Sequence, residues 1–344
     1  MSPLAWLATR ARRVAAATGL WRGAATAGDA LLLGAAVLLA AALADPGLTL
    51  MRPRPALVVT LDITQSMAVA DADDPLAPGA LRPRGEAARR ALHQALALLP
   101  CGSQVGWAVF TEYRSFLLLA PLEVCAHLAE LRGTLAAMDN RMAWAGNSEV
   151  AKGLHSAWEI AGKLPGPPSL VFVTDGHEAP PLNPRHRPRF DNDKPGERTG
   201  LLVGVGGNKP QPIPKSDPRG RPLGEWAADE VLQTDPRSRG RGASVGQETM
   251  AEDPAERGGN DPRALGATPG SEHLSALREG YLQRLADEQG LGYLRLGGAA
   301  ELARALAAPS LGRPVAVRVS LAPALLVLAG LLLLARHVRP AARR

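Results

Sequence analysis

Residues 56–61, Ala-Leu-Val-Val-Thr-Leu, form a short apolar run rich in β-branched side chains, and the run stops at Asp62. Such a run, with no polar alternation, predicts a strand buried on both faces, as in a parallel sheet covered by helices. The oxygen-bearing residues that end it come at alternate positions: Asp62, Thr64 and Ser66. Where a buried strand opens into a loop, that spacing lets one carboxylate and two hydroxyls point into one small space. The set is one of hard oxygen donors, suited to Mg²⁺ or Ca²⁺ rather than to zinc. A second apolar run, Ser169–Thr174, also ends in a carboxylate, Asp175.

Between and after these runs the chain alternates strand-like and helix-like stretches. Asp45–Pro55 reads as a Pro-containing linker and Ala70–Gly85 as an irregular loop. Helices are expected over Glu86–Leu99, Leu122–Met138, Glu149–Leu164, Leu274–Gln289 and Ala299–Ala307. Val105–Phe110 and Ser115–Ala120 read as a hairpin, and Leu201–Gly206 and Leu291–Leu296 as further strands. Cys101 and Cys125 fall together at the open end of that hairpin, which leaves two readings, a disulfide or two buried free thiols. Strands alternating with helices predict an open, doubly wound α/β sheet, whose ligands sit beyond the carboxyl ends of the strands. Residues from Gly207 to about Ser271 are rich in Pro, Gly, Arg and Asp, without apolar periodicity, and read as a mobile insertion.

The net charge of +6 does not point to nucleic acid. Much of the basic surplus sits at the two ends and in one Pro/Gly/Arg-rich segment, with no interleaved aromatics to stack on bases. Two apolar segments account for the ends. Ala30–Ala44 is uncharged and, counted from Ala27, reaches about 18 residues, near the lower limit for spanning a bilayer. Ser320–Ala335 is similar, and Val315–Val319 extends it with Arg318 snorkelling. Arg10, Arg12, Arg13 and Arg22 precede the first segment; Arg336, Arg339, Arg343 and Arg344 follow the second. The positive-inside rule puts both ends in the cytoplasm and the intervening chain outside. The long basic stretch before the first segment favours an anchor over a cleaved signal peptide, although Ala42-Leu43-Ala44 resembles a cleavage site. The expected plan is a basic cytoplasmic N-terminus over 1–26, a transmembrane helix over 27–44 and a domain over 55–308. The insertion lies at about 207–271, a second transmembrane helix over 315–335, and a basic cytoplasmic tail over 336–344.

A further hydroxyl comes from Ser148. Ser148 lies in the loop Gly146-Asn147-Ser148-Glu149, just before a predicted helix. Alone it reads as an N-cap. Between two strands whose ends carry the other oxygens, it also reads as a fifth donor. His177 and Glu178 read as the rim of the site or as a solvated loop, and no Cys or second His stands at zinc-ligand spacing.

Together these elements resemble the von Willebrand factor A domain with a metal-ion-dependent adhesion site. That family has a strand ending in Asp-x-Ser-x-Ser, a Thr in a Gly-containing loop before a later helix, and an Asp in Thr-Asp-Gly. Here Asp62-Ile63-Thr64-Gln65-Ser66 fills the first element, with Thr for the first Ser. Ser148 stands where the Thr would be, and Thr174-Asp175-Gly176 is the third element. The resemblance covers roughly Pro55–Ala308, interrupted by the insertion. It implies a doubly wound, Rossmann-like open sheet between two transmembrane helices. It also implies one divalent cation, Mg²⁺ or Ca²⁺, on Asp62, Thr64, Ser66, Ser148 and Asp175, some directly and some through water. One position stays open for an Asp or Glu of a protein partner.

The membrane–domain–membrane layout is similar to bacterial periplasmic proteins encoded beside MoxR-type ATPases. The Leu61–Met67 wording is similar to the MxaL-type accessory proteins of methanol oxidation, which are implicated in maturing periplasmic methanol dehydrogenase and supplying its calcium. The implied role is a metal-dependent protein-binding accessory or maturation factor, not an enzyme, with two membrane passes in the bacterial inner membrane and its main domain periplasmic. Its partners would be methanol dehydrogenase or other accessory proteins. One alternative is the partner of a MoxR-type ATPase with another client. Another is a haloacid dehalogenase-like phosphatase with Asp62 as nucleophile, which would need a second Asp where Thr64 stands. A third is a structural membrane protein whose domain has lost its metal.

Overall fold

The computed structural model describes residues 27–182, 199–217, 219–231 and 271–338. The two basic termini up to residue 26 and beyond residue 338, His186, and residues 232–270 of the expected insertion lie outside the described residues. The chain divides into two units, one of residues 1–51 and 316–344 and one of residues 52–315.

The smaller unit contains helix α1, Ala27–Leu43, and the start of β1, Gly47–Asp62. Each helix of this unit is uniformly apolar along its middle. The two described helices at the chain ends are 17 residues each, α1 and Ala322–Val338 (α7 in chain order). At 1.5 Å per residue this gives about 26 Å, against roughly 30 Å of bilayer hydrocarbon. Among the described residues no helix is long and apolar enough to cross a membrane. The two helices pack on each other, with Ala35 and Ala329 buried and Arg336 Nη1 donating to Gly28 O at 3.1 Å. The expected extension of the second apolar helix back to Val315 is absent. Residues 312–320 form a strand instead, because Val315, Val317 and Val319 alternate with other side chains at the strand period. That strand pairs with β1, which starts at Gly47, so most of the expected linker 45–55 is strand as well.

In the larger unit β1 becomes fully buried from Pro55 to Asp62. It is followed by a hairpin of β2 (Ala72–Asp74) and β3 (Ala77–Arg82) where an irregular loop was expected. Then come α2 (Arg84–Leu98), β4 (Gln104–Thr111), β5 (Arg114–Glu123), α3 (Leu128–Ala137), α4 (Val150–Gly162), β6 (Ser169–Thr174) and β7 (Gly200–Gly204). Short strands β8 (Gln211–Pro212), β9 (Pro214–Ser216), β10 (Pro222–Glu225) and β11 (Leu274–Ser275) follow. The unit closes with α5 (Glu279–Gln289), β12 (Gly292–Arg295), α6 (Ala299–Leu306) and the beginning of β13 (Gly312–Ser320).

The main path of the sheet runs β12-β7-β6-β1-β4-β5. All neighbours are parallel except β4 and β5, the antiparallel hairpin. This is a mixed α/β architecture with a central, mostly parallel, Rossmann-like sheet. Strand alternation divides the core in two. Leu57, Val59 and Leu61 of β1, with Val171, Val173 and Val203, share one cluster with α2, α3 and α6. Leu170, Phe172 and Leu202 share the other with α4 and α5. Cys101 and Cys125 form a disulfide across the open end of the β4–β5 hairpin.

β1 lies at the centre because it pairs with β4 on one side and β6 on the other, so the carboxyl ends of three buried strands open together. Helix α4 reaches that edge through Gly153, which has the Phe110 ring of β4 against its α-carbon. A β-carbon there would lie 2.0 Å from that ring. We expect Gly153→Ala to cost about 1–3 kcal/mol through overpacking, read by urea unfolding. An unchanged midpoint would mean the helix–strand contact has slack.

Candidate metal centre

The site starts where β1 leaves the sheet. Ile63 N still donates to Phe110 O at 3.0 Å; the chain then turns through the single 3₁₀ turn Gln65–Ala68. Thr64 N and Oγ1 both donate to Asp62 Oδ1, at 2.9 and 2.7 Å. A carboxylate capturing the backbone two residues on stabilises such a turn. The captured hydroxyl lies 3.2 Å from Ser66 Oγ. From outside the loop, Asn140 Nδ2 donates to Thr64 O at 2.6 Å.

The neighbouring strand β6 supplies the second carboxylate and an unexpected coupler. Thr174 Oγ1 donates to Asp62 Oδ2 at 2.6 Å and accepts from Gly176 N at 3.0 Å. Gly176 has φ +77°, a conformation suited to glycine. Asp175 Oδ1 accepts His177 N at 2.9 Å, and the nearby Ser66 side chain favours the ionised form of the same carboxylate. The two loops that carry Asp62-Thr64-Ser66 and Asp175 are therefore joined by direct side-chain contacts.

Ser148 arrives from a third direction. Its N–H donates to Ala179 O at 2.8 Å and its carbonyl accepts Ala179 N at 2.7 Å, while Glu149 N donates to Glu112 O beside β4. Helix α4 begins at Val150, and Ser148 does not cap it. Glu178 does: its Oε2 accepts Val150 N at 3.0 Å and its Oε1 accepts Ala151 N at 3.1 Å and Tyr281 Oη at 2.6 Å. The Ser148 hydroxyl is thereby released from local duty. It is buried without a hydrogen-bond partner.

Thr64, Ser66 and Ser148 line one cavity of about 260 Å³, together with His177 and with Ile213 and Trp226 from the segment after β7. Asp62 and Asp175 are 1% and 0% exposed and do not line the cavity; Asp62 holds the Thr64 hydroxyl from behind. Three hydroxyls at the surface of a cavity and two carboxylates behind them fit a small divalent cation. The unpaired buried hydroxyl of Ser148 is the observation that favours it, since such a group is costly without a partner. Thr64, Ser66 and Ser148 would hold the ion, with Asp62 and Asp175 supplying negative charge beyond them. Zinc has no comparable place. Among the described residues the one cluster of His, Cys, Asp and Glu with converging ligand atoms is Cys101, Glu123 and Cys125, whose sulfurs are joined to each other.

The charge balance depends on a residue that motif reading passes over. Arg84, at the start of α2, is fully buried. It grips Asp71 with two hydrogen bonds of 2.7 and 2.6 Å, Asp175 Oδ2 at 2.5 Å, and Ser275 Oγ and O at 2.6 and 3.1 Å. Burial works against the Arg84 charge, but Asp71 and Asp175 outweigh it and its pKa rises. Burial pushes Asp175 up, yet Arg84 reverses this and its pKa is lowered. Asp62 has no such counter-ion. Burial, then the Asp175 charge, pushes it up to about 7 against its hydrogen bonds from Thr174 and Thr64. One carboxylate is thus held as an ion by a guanidinium, and the other shares its site with a proton near neutrality. His177 and Glu178, expected at a rim or in solvent, are both buried.

No family model matches the chain, and no curated protein matches it. Solved structures do. The chain is similar to an aerotolerance-related membrane protein from Bacteroides fragilis, at 16% identity and a TM-score of 0.42, over 73% of this chain and 96% of that one. It is similar to a conserved hypothetical protein, BatB, from Bacteroides thetaiotaomicron, at 16% identity and a TM-score of 0.41, over 74% and 95%. A membrane-spanning protein from Vibrio fischeri matches at 15% identity and a TM-score of 0.26, over 73% and 95%. The strand order by itself defines the Rossmann-like sheet.

Arg84→Ala would leave the buried Asp175 without its counter-ion and the part-buried Asp71 unpaired, and should cost about 3–5 kcal/mol in chemical denaturation. A loss under 1 kcal/mol would show that water replaces the guanidinium. A second expectation concerns pH. Burial raises the Glu178 carboxyl from 4.5 to about 8, against the pull of its three donors. The folded state then binds this proton more tightly than the unfolded chain. Its contribution is full below about 4.5 and is lost as pH rises through about 8. The stability of the wild type relative to Glu178→Gln should therefore decline across that window, read from paired unfolding curves.

Proposed function

We infer that this chain is a cation-dependent protein-binding module of the von Willebrand factor A type. It acts as an accessory or maturation factor on the periplasmic face of the bacterial inner membrane. One observation carries the reading: Thr64, Ser66 and Ser148, from two distant segments, share a cavity backed by Asp62 and Asp175, and the Ser148 hydroxyl is buried without a partner. Bound there, Mg²⁺ or Ca²⁺ would supply an incompletely neutralised positive charge that attracts a carboxylate of a partner. The hydroxyls orient the ion; Arg84 keeps Asp175 ionised and in place.

Binding suits this site better than phosphoryl chemistry. The position where a phosphatase of the haloacid dehalogenase type needs its second carboxylate carries Thr64, whose N–H and hydroxyl both go to Asp62. Asp62 Oδ2 is engaged by Thr174, which leaves the carboxylate poorly placed as a nucleophile. Anchoring through the two apolar end segments is part of the proposal. It is supported by their composition and by the basic residues outside them, and it requires each span to exceed the 17 described residues or the bilayer to thin locally. The narrower expectation of a methanol dehydrogenase client rests on the wording of Leu61–Met67.

Affinity capture from native membranes, with and without a chelator, tests the reading. Asp62→Ala should lose the captured partner, and chelation should mimic it; capture indifferent to both would remove the proposal. In calorimetry with Mg²⁺ alone, Thr64→Val and Ser148→Ala should each weaken binding about tenfold, roughly 1.4 kcal/mol. Equal affinities in wild type and variants would place the cation elsewhere.

A further inference from the structure

The segment that follows β7 was expected to be a mobile insertion, yet its described part is built onto the cation loop. β8 pairs with β11, Ile213 N donates to His273 O at 3.1 Å, and Ile213 is buried. Trp226 N donates back to Ile213 O at 3.0 Å. The Trp226 indole N–H donates to Oε1 of Gln65, a residue of the cation loop itself. Lys215 lies over the Trp226 ring at 4.5 Å and pairs with Glu230. Ile213, Trp226 and Val231 give the cavity an apolar stretch of wall beside its hydroxyls; the two carboxylates that also line it are matched, Glu230 by Lys215 and Glu272 by Arg278.

The size of the cavity narrows what enters it. At about 260 Å³ it falls below the roughly 300–1,000 Å³ typical of cofactor and drug-sized sites. It suits the end of one side chain with part of its neighbour. A carboxylate directed at the hydroxyl face would lay its methylenes along the apolar wall. A bare or polar-flanked acid would leave that wall in contact with water.

We propose that residues 211–217 and 219–231 are the specificity element of the site, selecting a glutamate that a partner presents between apolar neighbours. The proposal rests on the cation-dependent reading above. It assigns the Trp226 wall, and not the cation, the choice among carboxylates. The Gln65–Trp226 contact ties the wall to the loop whose hydroxyls would hold the ion.

The test uses the full chain in detergent with Mg²⁺ and three pentapeptides, with a central glutamate between leucines, the same glutamate between serines, and a glutamine between leucines. The wild type should bind the leucine-flanked glutamate at least tenfold tighter than the serine-flanked one. Trp226→Ala and Val231→Ser should each bring that ratio toward one, and Trp226→Phe, which keeps an apolar ring, should retain most of it. A ratio near one in the wild type, or a ratio unchanged in whichever of the first two variants folds, overturns the proposal while leaving the cation reading intact. Failure of the wild type to take up either Mg²⁺ or Ca²⁺, or equal binding of the glutamine peptide with either ion, overturns the cation reading and this proposal with it.

Discussion

A guanidinium with no access to water holds the candidate site together. Removing an arginine from solvent is expensive, and it becomes tolerable only when its donors are nearly all matched. Arg84 meets that demand with two carboxylates, a hydroxyl and two carbonyls drawn from four places in the chain: the cation loop, the loop after it, the end of β6 and the strand β11. The ion pair thus does more than add energy. It sets which carboxylate in the centre has its pKa lowered and leaves Asp62 as the one whose charge is negotiable.

Preorganisation by the surrounding fold is equally visible at Ser148. A serine before a helix ordinarily caps it, and that use would take the hydroxyl away from any ligand. Here Glu178 reaches the helix N-terminus, and Tyr281 donates to the same Oε1 that accepts Ala151 N. A residue three positions past Asp175 therefore frees a hydroxyl 30 residues earlier in the chain. The β6 terminus serves both ends of the arrangement, giving Asp175 to the centre and Glu178 to the helix.

The parts of this protein legible in its sequence are those dictated by local pattern. The apolar runs ending at Asp62 and Asp175 lie in parallel neighbours at the centre of the sheet, because continuous β-branched stretches have few other places to go. Thr64 and Ser66, at alternate positions, line one cavity, and Ser148 reaches it from the loop before α4. What was hidden depends on pairing between distant segments. Residues 47–55 look like a linker until β13 is there to pair with them. Val315–Val319 look like an extension of an apolar helix unless their alternation is weighed above their hydropathy. Arg84 looks like one more basic residue in an arginine-rich stretch, and Asp71, its partner, sits in a loop of acids. Nothing local separates them from solvated charges. The ordered front of the insertion was missed because composition averages over the whole segment, whereas Ile213 and Trp226 act singly.

The bond between Arg84 and Ser275 spans 191 positions of the chain. As a polymer emerges from the ribosome, Arg84 and Asp71 are available long before Asp175, and Ser275 arrives later still. Closing a loop of that length costs about 5 kcal/mol of chain entropy before any contact rewards it. The early strands and α2 must therefore exist for a time with a cationic group whose final acceptors have not been synthesised, and that group must stay hydrated until they are. Ordering of the cation loop is in this sense a checkpoint on completion: only a chain translated past its last long connection can take the water off Arg84.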